Sequence, residues 1–190
     1  MVILLDSSAS VPEDVFETTK KFASDLVKRF DTSKDRAHVA VLSYSQYVHT
    51  ERRFDDDPSQ ESILKAIDGV NYEGSFSRLD SALDILHNKI FKKKHGARSS
   101  RNDVKKVVVV VTDGFSSLGI EFTKKLAGTL KRTGVNVFSV GTSGRVYKAE
   151  LDELVSKPSE AHQLTRDLTK GAFTKDEVKR FAKEICGKKE

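Results

Sequence analysis

A chain of 190 residues, 37% of them hydrophobic and 32% charged, has the length and composition of one folded domain, a central sheet with helices on both faces. No apolar run approaches the roughly 20 residues that a membrane-spanning helix requires. The 33 basic and 28 acidic residues leave a net charge of +5, too nearly balanced to indicate a nucleic-acid-binding protein.

The chain opens on an apolar run that stops at an acidic residue. Residues 2–5 predict a buried strand, and Asp6, Ser8 and Ser10 follow at its carboxyl end. In an open α/β sheet, ligands bind in the crevice beyond the carboxyl ends of the strands. These three side chains are therefore candidate ligands of a metal ion.

A helix and two strands are predicted next. Ser10, Pro12 and Glu13 have the spacing of a helix start, with Ser10 as the N-cap and Pro12 in the first turn. Residues 37–44 are rich in β-branched and apolar side chains, which predicts a sheet strand. Residues 47–54 are expected to pair with it as a short antiparallel edge strand.

The rest of the chain continues the alternation of helices and strands. The valine run 107–111 predicts a strand buried on both faces, which is typical of the middle of a parallel sheet. Further helices are predicted at 60–67, 79–90, 120–131, 148–155 and 178–185, a further strand at 135–140, and a short segment at 162–164. This alternation predicts an α/β fold, a doubly wound and mainly parallel sheet of Rossmann-like type.

A second acidic residue, Asp113, follows the valine strand. Because the ends of two such strands can be neighbours at the switch point of a doubly wound sheet, Asp6 and Asp113 could share a divalent cation. Oxygen donors alone favour Mg²⁺, Ca²⁺ or Mn²⁺ over zinc. An acidic group from another molecule could complete the octahedron, which indicates a binding site and not a catalytic one.

Two alternatives compete with a metal site. In the first, Ser10 is only a helix cap, Asp6 holds backbone amides of its turn, and Asp113 begins an ordinary turn. In the second, the chain is a phosphoryl-transfer enzyme of the haloacid dehalogenase type, but such an enzyme needs a second acid where this chain has Ser8. The sequence also contains no glycine-rich phosphate motif, so we predict no enzymatic activity.

The stretch from Lys92 to Lys106 is basic, with Asp103 as its one acid. We predict a solvated polar loop, and the alternative is a patch for a heparin-like polyanion. The one cysteine, Cys186, cannot form an internal disulfide. The protein is therefore either cytosolic or pairs Cys186 with a cysteine outside this segment.

Three stretches carry a resemblance to a known family. Residues 4–10 (LLDSSAS) match the D-x-S-x-S motif of the von Willebrand factor type A domain. Residues 109–114 (VVVTDG) resemble that family's second acidic strand end, and residues 134–141 its following strand. Within the family, residues 16–23 and 75–79 most resemble the A domains of collagen VI chains.

The resemblance implies a metal-ion-dependent adhesion site whose strand-end ligands would be Asp6, Ser8, Ser10 and Asp113. In the family, a threonine before the third helix supplies a fifth ligand. Ser77 occupies that position here, and Ser75 is the other candidate. Serine lacks the methyl group that stiffens the threonine rotamer, so weak or absent binding of the metal ion is implied.

The resemblance further implies a secreted, non-enzymatic adhesion module of the extracellular matrix that binds collagen or another matrix protein. Residues 1–190 are then expected to be one A domain excised from a larger protein, with Cys186 linked to a cysteine just upstream. The alternative is a metal-free structural A domain used for chain assembly in a collagen VI-like polymer, which the departures at Ser77 and Leu79 favour.

Overall fold

The computed structural model describes residues 1–98, 100–101, 103–144 and 146–187. A six-stranded sheet runs through its centre. The strands are β1 (Val2–Asp6), β2 (Ala40–Tyr44), β3 (Val48–Arg52), β4 (Lys106–Thr112), β5 (Val135–Gly141) and β6 (Gln163–Thr165). They lie in the order β3-β2-β1-β4-β5-β6, and every neighbouring pair is parallel except β2 and β3. The predicted fold class is confirmed, including the antiparallel edge strand.

Helices cover both faces of the sheet. Helices α1 (Glu13–Val27), α2 (Gln60–Asp68) and α6 (Lys175–Cys186) pack on one face, and α3 (Leu79–Ile85), α4 (Ile120–Arg132) and α5 (Lys148–Leu154) on the other. Successive strand residues alternate between these layers, so Leu5 and Val109 contact the first while Leu4 and Val110 contact the second. All four side chains are fully buried, and each such burial contributes about 1.5–3 kcal/mol.

The start of helix α1 differs from the prediction. Pro12 holds the N-cap position without a side-chain cap, and the helix begins at Glu13. The amide of Val11 donates to the carbonyl of Ser8, and this turn leaves Ser10 two residues before the N-cap. Ser10 is therefore not the helix cap.

Three further element ends differ from the predictions. The helix predicted over 79–90 becomes a π-helical turn at Leu86–Ile90. Strand β2 begins at Ala40, because the amide of Ala37 still bonds to Asp31 in the preceding turn. The short segment at 162–164 is strand β6, which pairs with β5. No helix in the described part of the chain is both long and apolar enough to cross a membrane.

The strand order reverses direction between β1 and β4. From β1 the chain moves outward to β2 and β3, and from β4 it moves outward on the other side to β5 and β6. The carboxyl ends of β1 and β4 therefore flank the crevice where ligands bind in open α/β sheets. We call this side of the molecule, with the loops that follow β1, β2, β4 and β5, the carboxyl edge.

Candidate functional site

The strand register brings the two predicted acidic residues together. Leu5 pairs with Val111, so Asp6 lies beside Thr112. Asp113 directly follows Thr112 in the chain. The side chains are buried, with Asp6 only 1% and Asp113 only 3% exposed. The structure thus places both carboxyl groups beneath the surface of the crevice.

Three donors hold the Asp6 carboxylate. Its Oδ1 accepts a bond from the amide of Ser8 (3.0 Å), and its Oδ2 accepts bonds from the hydroxyls of Tyr44 (2.8 Å) and Thr112 (2.7 Å). Burial raises the pKa of Asp6 to about 6; the hydrogen bonds from Ser8 and Thr112 oppose this rise, and the charge of Asp113 adds to it. The carboxylate is ionised at neutral pH, but its charge is costly there.

Two hydroxyl groups lie between the carboxylates. The Oγ atoms of Ser8 and Ser10 are 3.1 Å apart. Burial raises the pKa of Asp113, while bonds from the amide of Phe115 (3.1 Å) and the Ser10 side chain oppose the rise. Four of the five predicted residues are thus linked by short polar contacts or by the charge interaction of the carboxylates.

The loop before helix α3 separates the two serine candidates. The amide of Ala9 donates to the carbonyl of Ser75 (2.8 Å), while the Ser75 hydroxyl donates to the side chain of Gln46 (3.2 Å). Ser77 is 7% exposed, and its carbonyl accepts a bond from the amide of Ser117 (2.9 Å), in the loop that follows Asp113. Its buried Oγ has no hydrogen-bond partner among the described residues.

No cationic side chain in the described part of the chain pairs with the two acids of this crevice. Among the described residues, neither Asp6 nor Asp113 forms an ion pair with lysine, arginine or histidine. The same part of the chain holds no metal-binding group of three or more histidine, cysteine, aspartate and glutamate side chains. Any cation held here would depend on the two carboxylates and on the serine hydroxyls.

Sequence reasoning missed three residues that support this site. Tyr44 and Thr112, which bond to Asp6, end strands β2 and β4, and their position at strand ends was the available signal. Glu150 is 1% exposed and accepts bonds from the hydroxyls of Ser116 and Thr123. It ties the loop after Asp113 to helices α4 and α5, although its sequence context is that of an ordinary exposed helix residue.

The basic stretch from Lys92 to Lys106 ends in strand β4 at its amino end, opposite the carboxyl edge. Ala97 is buried, so the prediction of a solvated loop was wrong at this residue, because it joins the same core cluster as helix α3. Arg101 pairs with Asp103 at 2.6 Å. Ser99 and Asn102 of the basic stretch lie outside the described residues. Binding of a heparin-like polyanion remains a prediction.

Cys186 is exposed at the end of helix α6. Its carbonyl accepts a bond from the Lys105 ammonium group (2.7 Å). Cys186 and Met1 both line a cavity of about 690 Å³ beyond the amino ends of the strands. The partner of this thiol remains a prediction.

Known proteins share this architecture. Mouse matrilin-2 is 30% identical over 162 residues, which are 85% of this chain and 16% of matrilin-2. Proximal thread matrix protein 1 from the mussel byssus, in a structure described as having a zinc-occupied MIDAS motif, superposes with a TM-score of 0.80 and 23% identity over 97% of this chain and 47% of that one. The chain thus spans less than half of either protein.

Manganese-loaded TRAP protein from Plasmodium vivax superposes with a TM-score of 0.76 and 15% identity, over 95% of this chain and 72% of that one. At these identities, the two solved structures show a shared fold alone. Residues 1–181 match the model of the von Willebrand factor type A domain. With its strand-end acids on a doubly wound sheet, the chain belongs to the von Willebrand factor type A domain family.

Proposed function

We propose that this domain is a non-enzymatic binding module of the extracellular matrix that engages a matrix protein through a divalent cation. The cation would be held by Asp6, Ser8, Ser10, Ser77 and Asp113, with Asp6 acting through water. Bound Mg²⁺ would supply positive charge and an open coordination position for an acidic side chain of the partner. The similarity to matrilin-2 supports a secreted matrix protein. Collagen, which the family resemblance implies, is the candidate partner.

The observation that carries the proposal is the pair of buried carboxylates, without a cationic side chain beside them in the described part of the chain. Burying a charge is costly unless it is paired or coordinates a metal ion. The raised pKa values of Asp6 and Asp113 express that cost. A divalent cation would remove it, because its charge balances both carboxylates.

The hydroxyl groups support the same proposal. The Oγ atoms of Ser8 and Ser10 are 3.1 Å apart, close enough for both to contact one divalent cation on adjacent corners of an octahedron. The buried Oγ of Ser77 has a lone pair to offer, whereas the Ser75 hydroxyl already bonds to Gln46.

The contacts of Asp6 favour a supporting role for this residue. Its Oδ2 already accepts two hydrogen bonds, and its Oδ1 accepts one. Asp6 would therefore balance the charge and orient water through Oδ1, while the serine hydroxyls coordinate directly. The same three bonds are the observation that favours the second candidate function, a metal-free A domain used in chain assembly, because they satisfy Asp6 without a cation.

Calorimetry separates the two functions. The chain is dialysed against EDTA, returned to buffer and titrated with MgCl₂, alongside Asp6→Ala, Asp113→Ala and the matched control Asp31→Asn, which alters an exposed acid in the turn after helix α1. We expect saturable heat in the wild type and the control, and at least tenfold weaker binding in both alanine variants. Equal heats in all four proteins would contradict the cation site and favour the metal-free function.

The partner is tested on immobilised type I collagen by surface plasmon resonance. We expect binding in Mg²⁺ that EDTA abolishes and that Asp113→Ala weakens by the same factor as its Mg²⁺ affinity. Binding that survives EDTA would contradict engagement through the cation. A normal Mg²⁺ titration without collagen binding would rule out collagen and leave another matrix protein as the partner.

A further inference from the structure

The large apolar side chains that the described part of the chain leaves exposed all lie at the carboxyl edge. Each is between 39% and 67% exposed. They are Tyr47, Phe76, Phe115, Leu118, Phe122 and Tyr147. We call these six residues the apolar rim. A folded domain gains stability by burying such side chains, so their collection at one edge requires an explanation.

Three members of the apolar rim are connected directly to the candidate site. Phe76 precedes Ser77 in the chain, and Phe115 follows Asp113 by two residues. The amide of Tyr147 donates to the carbonyl of Asp113 (3.0 Å), and its ring stacks on that of Phe115, with centroids 5.4 Å apart and planes within 13°. These side chains therefore stand on both sides of the crevice.

The other three members lie on adjoining turns. The carbonyl of Tyr47 accepts a bond from Ser45, whose own hydroxyl accepts the amide of Ser75. Leu118 and Phe122 lie at the start of helix α4, in the segment that Ser117 joins to the carbonyl of Ser77. The apolar rim therefore surrounds the crevice on the loops after β2 and β4, on the first turn of α4, and on the loops before α3 and α5.

The chemistry of this surface defines what fits it. All six side chains of the apolar rim are uncharged, and the buried carboxylates within it would be neutralised by the cation. Exposed tyrosine and phenylalanine side chains are enriched at the centres of protein interfaces, where they contribute most of the binding energy. A matching partner therefore offers one negative charge for the cation and apolar side chains around it.

We infer that the apolar rim binds a partner segment in which one acidic residue is flanked by aromatic or large aliphatic residues. This inference rests on the proposed function, because the acidic residue is the one that reaches the cation. It adds the sequence context of that residue as the source of specificity. The charge match at the centre and the apolar match around it would have to occur in the same segment.

A random 12-residue peptide library displayed on phage tests this inference. The immobilised chain is panned in MgCl₂, and bound phage are eluted first with EDTA and then with acid, which also recovers phage that bind without a cation. We expect enrichment of sequences with one aspartate or glutamate beside phenylalanine, tryptophan, leucine or isoleucine. Enrichment of acidic sequences without apolar neighbours, or no enrichment at all, would overturn the inference.

A synthetic copy of the leading peptide is then titrated against variants. The double variant Tyr47→Ser/Phe76→Ser should bind it at least about tenfold more weakly, because each ring loses its contact, while its Mg²⁺ titration stays as in the wild type. Lys179→Ala, on the exposed face of helix α6, is the control and should bind normally. Unchanged peptide binding by the double variant would overturn the inference.

Failure of the proposed function would look different. Peptides with apolar residues that bind equally in EDTA, and equally to Asp113→Ala, would show apolar docking without a cation. That result would overturn both the proposed function and the acidic part of the inference. Loss of peptide binding by the double variant with normal Mg²⁺ binding supports both.

Discussion

Replacement of Asp6 by asparagine should change how the stability of the metal-free protein depends on pH. Burial raises the pKa of Asp6 from 3.8 to about 6. A carboxyl group with a higher pKa in the folded state keeps its proton there at pH values where the unfolded chain has released it. The whole contribution of Asp6 to the free energy of unfolding is therefore present below about pH 4, and it is lost as the pH rises through about 6.

The size of the effect follows from the pKa difference. A change of one pKa unit corresponds to about 1.4 kcal/mol, so the rise of Asp6 to about 6 corresponds to on the order of 3 kcal/mol. The wild type should lose this amount between pH 4 and pH 7 through Asp6 alone. Asp6→Asn lacks the titrating group and should not lose it.

The assay is urea unfolding followed by circular dichroism at pH 4, 5, 6 and 7 in EDTA. The quantity of interest is the difference in unfolding free energy between wild type and Asp6→Asn, since other acids cancel in it. Asp31→Asn is the control, because hydrogen bonds from Ser33 lower the pKa of Asp31; its contribution is lost only as the pH falls below about 4, so its difference from wild type should stay nearly constant between pH 4 and pH 7. A difference for Asp6→Asn that is equal at pH 4 and pH 7 would refute the reasoning.

Substitutions at three residues test other parts of the site and the fold. Ser77→Ala should leave the unfolding free energy in EDTA unchanged or slightly higher, because the buried hydroxyl has no described partner. In calorimetry, Ser77→Ala should weaken Mg²⁺ binding, whereas Ser77→Thr should strengthen it. Glu150→Ala should lower the unfolding free energy by about 2 kcal/mol, because Ser116 and Thr123 lose a buried acceptor. A loss of less than about 0.5 kcal/mol, which is typical of surface substitutions, would contradict this role. Thr174→Ala should lower it by about 1 kcal/mol in the same urea assay because helix α6 loses its N-cap bond, and Thr174→Ser should recover most of the loss.

Much of the fold could be predicted because its signals are local. The valine run 107–111 can be stable only where both faces are covered, and strand β4 is buried in the middle of the sheet. Element ends were predicted less well, because they depend on contacts between distant residues. Strand β6 has three residues, too few for a repeating pattern, and forms through pairing with β5.

The alternation of strands and helices, and the position of Asp6 and Asp113 at strand ends, can be read from local sequence, because hydrophobic periodicity and motif spacing belong to neighbouring residues. The groups that surround those acids depend on tertiary contacts. The pairing of Leu5 with Val111 places Thr112 beside Asp6, and the bond from Ser75 to Gln46 leaves Ser77 as the serine with an available buried oxygen. Such contacts join residues far apart in the chain, and no local pattern encodes them.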